Sequence, residues 1–198
     1  MCIRDRPTIR EHPIPVRELI QYSWKRLDNH QHTNNKSLQR PLLFFAHFDT
    51  RARLRSDILP LLKAYQKHAD LVFISASSGL RDDSKNLEKL QERCEFVIIR
   101  GNEGYDFGSW MTGLRFCDEA IKNRDEIIIT NDSLWGPITP LDTLFNRIHA
   151  SKADAIGLTD DLMYSHHLQS SFMVFRKPVT TSRTCLLYTS PSPRDTNP

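Results

Sequence analysis

The chain opens polar and then changes rhythm. Val16, Leu19, Ile20, Trp24 and Leu27 recur on one face of a 3.6-residue period, which predicts an amphipathic helix after Pro15. Residues 29–40 are polar, with Asn34-Asn35-Lys36-Ser37 near their centre, and read as a linker. From Pro41 onward, apolar runs alternate with helical stripes. Continuous runs at Leu42 to Phe48, Leu71 to Ser75, Phe96 to Ile99 and Glu126 to Thr130 predict strands buried on both faces. Ala155 to Leu158 and Ser171 to Phe175 predict two more. Ile58, Leu61, Leu62, Tyr65 and Ala69 predict a helix that tolerates Pro60 in its first turn. Leu87, Leu90 and Cys94, with Ser84 as cap, predict a second helix, and Trp110, Leu114, Cys117 and Ile121 a third. Thr139-Pro140-Leu141-Asp142 reads as the start of a fourth, with a hydroxyl cap, proline at the first position and a carboxylate in the first turn. Its stripe is Leu141, Leu144, Phe145 and Ile148. This alternation predicts an α/β domain, a mostly parallel sheet with helices on both faces.

Composition narrows the function without naming it. The chain has 198 residues, 39% hydrophobic and 26% charged, enough for one ordinary α/β domain or two very small ones. No apolar run approaches the roughly 20 residues of a membrane-spanning helix. A formal charge of +3 with no block of Lys and Arg argues against a nucleic-acid partner.

The two ends read differently from the rest. Met1-Cys2-Ile3-Arg4-Asp5-Arg6 back-translates to ATG TGT ATA AGA GAC AG, whose reverse complement, shifted by one base, encodes Cys-Leu-Leu-Tyr-Thr. That is how the tail begins, at Cys185. The string matches the transposase adapter of sequencing libraries, so residues 1–6 and 185–198 are expected to be translated adapter and the natural ends to be missing. The expected organisation is then a helix and linker over 7–40 and an α/β domain over 41–184. Without the ends the charge falls by one and the cysteines reduce to Cys94 and Cys117, in no metal-ligand spacing, expected to be buried thiols.

In such a sheet, ligands bind beyond the carboxyl ends of the strands, so the polar residues after each apolar run are the candidates. There are four sets. His47 and Asp49 follow the first run. His47-x-Asp49-Thr50 is not an aspartyl-phosphate phosphatase motif, because a histidine stands at the nucleophile position. After the third run comes Gly101-Asn102-Glu103-Gly104-Tyr105-Asp106-Phe107-Gly108, whose spacing is not the dinucleotide fingerprint. Its glycines allow either close approach of backbone to a phosphate or a tight loop with Asp106 at the helix start. Asn131-Asp132-Ser133 offers hard oxygen ligands for a divalent cation, or a turn closed by Asp132. In the last set, Asp160 and Asp161 suit a general base or a solvated loop, and the paired His166 and His167 a metal, a phosphate or a structural role. His30 and His32 read as loop residues rather than a metal pair. Ser170 and Ser171 lack a nucleophile-elbow context, which argues against acyl transfer.

Three strings in this order, Asn-x-Gly-Tyr-Asp-Phe-Gly-Ser at 102–109, Asn-Asp-Ser-x-x-Gly-Pro at 131–137 and His-Leu-Gln-Ser-x-Phe at 167–172, resemble the rhamnan synthesis protein F family. Phe45-Ala46-His47-Phe48-Asp49 fits it too, and the resemblance spans about Pro41 to Lys177. It implies a Rossmann-like fold similar to type-A glycosyltransferases, in the assembly of rhamnan and lipopolysaccharide. The implied activity is transfer of a hexosyl group, rhamnosyl among the candidates, from a nucleotide-sugar donor to a glycan or lipid-linked glycan acceptor. His47, Asp49, Asn102, Gly104, Asp106 and Gly108 would then line the substrate pocket, and Asp132 would bind a divalent cation, Mg or Mn. His167 and Gln169 would line the acceptor side, with Asp160 or Asp161 as base. The implied location is cytoplasmic, at the inner face of the membrane, with peripheral membrane association. Asn131-Asp132-Ser133 carries one carboxylate where the usual acidic motif has two or more. The competing expectation is a non-catalytic nucleotide-sugar- or glycan-binding module of a larger envelope-biosynthesis protein. Glu103 stands where the family pattern has valine and is expected to point outward.

Overall fold

The computed structural model describes residues 20–21, 40–162 and 166–180. Both adapter-like ends, the linker and most of the first expected helix lie outside the described residues. In chain order the elements are β1 (Ile20–Gln21), β2 (Leu42–His47), α1 (Ile58–Tyr65), β3 (Asp70–Ser75), α2 (Ser84–Gln91), β4 (Phe96–Ile99), α3 (Tyr105–Phe116) and α4 (Asp118–Lys122). They continue with β5 (Glu126–Asn131), α5 (Asp142–Ala150), β6 (Ala155–Gly157), β7 (Asp160–Asp161), β8 (His167–Leu168), β9 (Phe172–Arg176) and α6 (Lys177–Thr180). A short 3₁₀ turn covers Ser78–Asp82.

One sheet runs in the order β1-β4-β3-β2-β5-β9-β6, and β7 and β8 form a separate pair. β4, β3, β2 and β5 are mutually parallel, whereas β1 and β9 are antiparallel to their neighbours. The central strands are apolar throughout because both of their faces are covered: every residue of β2 and β3 is buried. Leu43, Phe45, Leu71 and Phe73 face α1, α2 and α5, and Leu42, Phe44, Val72 and Ile74 pack with Trp110 of α3 and Cys117. This division follows from handedness. The chain steps outward from β2 to β3 to β4, then returns past β2 to β5, and a right-handed crossover on the return places α3 on the opposite face from α1 and α2.

Several boundaries differ from the expected ones. Ile20–Gln21 is a strand, not helix: it pairs antiparallel with the outer edge of β4, whose backbone groups would otherwise lack partners on that side. The cap of α2 is Asp83, whose carboxylate accepts from Asn86 N–H, one residue before the expected Ser84. α5 starts at Asp142 without a side-chain cap, so Thr139 and Pro140 lie in the preceding loop. The third expected helix breaks at Cys117 into α3 and α4. Both described cysteines are free and buried, as expected. Among the described residues, no helix is long and apolar enough to cross a membrane.

Candidate active site

The strand order reverses between β2 and β5, since the chain goes one way from β2 to β3 and later arrives on β2's other side. Two neighbouring parallel strands whose connections leave in opposite directions open a crevice at their carboxyl ends, the usual ligand position in such sheets. The residues after β2 and β5 meet there. Phe48 N–H donates to Asp132 Oδ2 at 3.1 Å, and Asp132 N–H donates to Ala46 O at 3.1 Å. Asn131 Nδ2 donates to Asp106 Oδ2 at 2.7 Å, tying the first turn of α3 to the end of β5. Three of the four candidate sets are therefore held together by direct hydrogen bonds.

The electrostatics of this cluster are unfavourable for charge. Burial pushes the Asp132 carboxyl above its ordinary range, against the Phe48 N–H bond and the Arg55 charge that favour ionisation, while Asp49 adds to the rise. Burial likewise raises Asp106, with Asp132 adding to the rise and Asn131 opposing it. The donor set of these two carboxyls is oxygen only, the chemistry of Mg²⁺ or Mn²⁺, and Mg²⁺ commonly takes one or two carboxylates with phosphate and water completing its shell. Asp132 and Asp106 are oxygen donors of the kind such a cation takes. Among the described residues, no group of three or more His, Cys, Asp and Glu side chains is placed to hold a metal ion.

Asp49, after β2, and His47, its last residue, make local contacts of their own. Asp49 Oδ1 accepts from the N–H groups of Arg51, at 2.7 Å, and Arg53, at 3.3 Å. His47 is buried, its Nδ1 lies 3.0 Å from Ser75 Oγ, and burial lowers its pKa to about 4, so the ring is neutral at pH 7. It braces β2 against β3 below the crevice.

The glycine loop is shaped by its own packing. Gly104 has φ 73° and Tyr105 φ 52°, two successive left-handed residues that turn the chain into α3. Arg100 is buried beneath them, donating to the Glu103 carbonyl and, at 3.1 Å, to Ser109 Oγ. A side chain at Gly108 would collide with that same Glu103 carbonyl. Asn102 is exposed at the start of the loop, and Glu103 points outward as expected.

The fourth set stands apart. β6 is parallel to β5, so the β7–β8 hairpin leaves the sheet at the crevice end, and the polar contacts of Asp160, Thr159 and Gln169 stay within the hairpin. Asp160 is exposed, and the 2.7 Å bond to His166 holds its carboxyl below the ordinary range. Gln169 Nε2 lies 3.5 Å from Asp161 Oδ2, while Gln169 Oε1 accepts from Thr159 Oγ1 at 2.8 Å. His167 is exposed on β8, opposite Asp161.

The sequence reading missed two residues of the crevice. Arg55 donates to Asp132 O at 2.7 Å, and its guanidinium carbon lies 5.4 Å from the centre of the Trp135 ring, which is 74% exposed. The available signal was an arginine two residues before Asp57 in a loop leaving a strand end.

Comparison with known proteins adds an independent line. A family model described as rhamnan synthesis protein F matches residues 71–191. An uncharacterized protein, y4gN, of Sinorhizobium fredii is 30% identical over 145 residues, 71% of this chain and 37% of that protein. The virulence protein VirA of Vibrio anguillarum is 28% identical over 107 residues, 53% of this chain and 32% of that protein. The chain thus spans about a third of the length of these curated relatives.

Proposed function

The chain belongs to the rhamnan synthesis protein F family, and from that membership we propose a glycosyltransferase-like role in cell-surface polysaccharide assembly, rhamnan or lipopolysaccharide. In this reading it moves a hexosyl group from a nucleotide-sugar to a hydroxyl of a glycan or lipid-linked glycan, at the cytoplasmic face of the membrane. The observation that carries the reading is the meeting of Phe48, Asp106, Asn131 and Asp132 at the strand reversal of a mostly parallel sheet covered by helices on both faces.

In this mechanism Asn102, Gly104 and Gly108 shape the donor pocket, and Asp132, with Asp106 beside it, would hold a divalent cation. That cation, when bound, supplies neutralising charge for the departing diphosphate. His167 and Gln169 line the acceptor side. The acceptor hydroxyl gives its proton to Asp160 or Asp161 as its oxygen bonds to the anomeric carbon, and the bond from that carbon to the diphosphate breaks. A non-catalytic nucleotide-sugar- or glycan-binding module is the second reading, favoured by the exposure of Asp160 and its pairing with His166.

Release of nucleotide from candidate nucleotide-sugars, with acceptor present, tests the first reading. Asp132→Ala and Asp106→Ala should each abolish turnover. Unchanged turnover in both variants sinks the site, and donor binding without turnover in the wild type selects the binding module.

A further inference from the structure

The loop between β2 and α1 carries Arg51, Arg53 and Arg55 in five residues, at the mouth of the crevice. Its backbone is fixed without any ligand. Asp49 Oδ1 accepts from two of its N–H groups, Ala52 N–H donates to Asp49 O at 2.9 Å, and Ser77 Oγ bonds Asp49 N at 2.7 Å and Asp49 O at 3.0 Å. Leu54 packs inward against the core, which leaves the flanking Arg51 and Arg53 exposed. Arg55 is pinned by two bonds to Asp57, at 3.0 and 2.9 Å, besides its bond to Asp132 O.

Other arginines near the sheet are committed to internal contacts. Arg100, Arg124 and Arg176 are tied to backbone carbonyls and carboxylates. Among the described residues, neither Arg51 nor Arg53 meets a carboxylate within 4 Å, so both guanidinium groups stand ready for an outside anion. Guanidinium matches phosphate bidentately, and a preformed loop reduces the ordering cost of binding. The alternative phosphate position, the N-terminus of α3, is obstructed by charge. Asp106 lies in its first turn, and Asp132 acts on Asp106 electrostatically.

We propose that the β2–α1 loop is a diphosphate clamp, in which Arg51 and Arg53 grip the diphosphate of a nucleoside-diphosphate ligand. Arg55 is a positioning residue that keeps the β5 loop against it. The inference rests on the nucleotide-sugar reading above and specifies where the diphosphate sits.

The test titrates the full chain with ADP, GDP, UDP, dTDP and inorganic pyrophosphate by calorimetry, in EDTA and again in Mg²⁺. At least one nucleoside diphosphate should bind the wild type in EDTA. The double variant Arg51→Ala/Arg53→Ala should lose about tenfold or more in affinity, the size of one lost charged contact. Its unliganded melting point should stay within about 2 °C of wild type, because both side chains are exposed. Arg51→Lys/Arg53→Lys should recover part of the loss, since charge returns without the bidentate geometry. Equal affinity in wild type and the alanine variant overturns the clamp and leaves the nucleotide-sugar reading standing. No binding of any diphosphate by wild type, with or without Mg²⁺, overturns both.

Discussion

Replacing Gly108 with alanine separates the two uses of the glycine loop. Gly108 is buried in α3, and a new Cβ would collide with the Glu103 carbonyl oxygen and come within 2.8 Å of Arg100 Nη2. Neither can move aside easily, because the carbonyl is backbone and accepts from Arg100, itself buried and bonded to Ser109. The start of α3 must therefore lift. Overpacking of this kind costs roughly 1–3 kcal/mol or more, and the gain in helix propensity of alanine over glycine returns about 1 kcal/mol. A net loss of about 2 kcal/mol corresponds to a fall of roughly 4–8 °C in melting temperature for a domain of this size. Gly104→Ala should cost about 1–2 kcal/mol, for a different reason, because φ 73° places alanine in the left-handed region. Gly101→Ala meets only the carboxylate of the exposed Glu103, at 2.6 and 2.7 Å, which can swing away, and should fall within about 0.5 kcal/mol of wild type. Thermal unfolding of the full chain followed by circular dichroism gives the ranking. A Gly108→Ala protein that melts with the wild type but loses nucleotide-sugar binding would refute the packing argument and give the glycine to the ligand.

Two further outcomes concern titration. His47 has its pKa lowered to about 4 by burial, so the unfolded chain binds a proton that the folded one refuses as pH falls from 6.5 to 4. That stability is fully present above pH 6.5 and lost on acidification, about 3 kcal/mol over the window, and His47→Asn should flatten the pH dependence of urea unfolding by that amount; parallel curves for the two proteins would disprove it. Asp132 is raised, which reverses the sign: its ionised form costs stability as pH rises above the ordinary carboxylate value. Asp132→Asn keeps an oxygen acceptor for Phe48 N–H and should melt a few degrees higher at pH 7, with the difference closing toward pH 4. A lower melting point at pH 7 would show that the carboxylate is stabilising where it sits.

The strands were legible because burial on both faces forces unbroken apolar runs, and Leu42 to Phe48, Phe96 to Ile99 and Glu126 to Thr130 match β2, β4 and β5 to within about a residue. Ends governed by long-range partners were not. Ile20 sits on a helical stripe, yet Gln21 and Ile20 pair with β4, because an open sheet edge outweighs a weak local preference. The break at Cys117 was invisible because Trp110, Leu114, Cys117 and Ile121 keep a helical period straight through it.

The site divides along the same line. His47, Asp49, Asp106 and Asp132 could be picked from sequence because each follows an apolar run or opens the helix after one, and strand ends converge in any parallel sheet. What the sequence could not hold is which two strands are neighbours. Asp132 meets Phe48, and Asp49 acts on Asp132, only because the return crossover sets β5 beside β2 rather than beyond β4. The same adjacency brings Arg55 to the Asp132 carbonyl across a separation of 77 residues. Arg55 and Trp135 belong to no periodic pattern, so nothing local marks them. The placement of positive charge therefore follows from topology alone: the strand reversal collects carboxylates from β5 and α3 on one side and arginines from the β2 loop on the other. In the proposed reading, an anionic ligand with its own cation would sit between them. Reversing the charge of the arginine side, by Arg51→Glu/Arg53→Glu, should then abolish diphosphate binding with or without Mg²⁺ by repelling the anion, whereas Asp132→Lys should remove only the part of the affinity that Mg²⁺ adds.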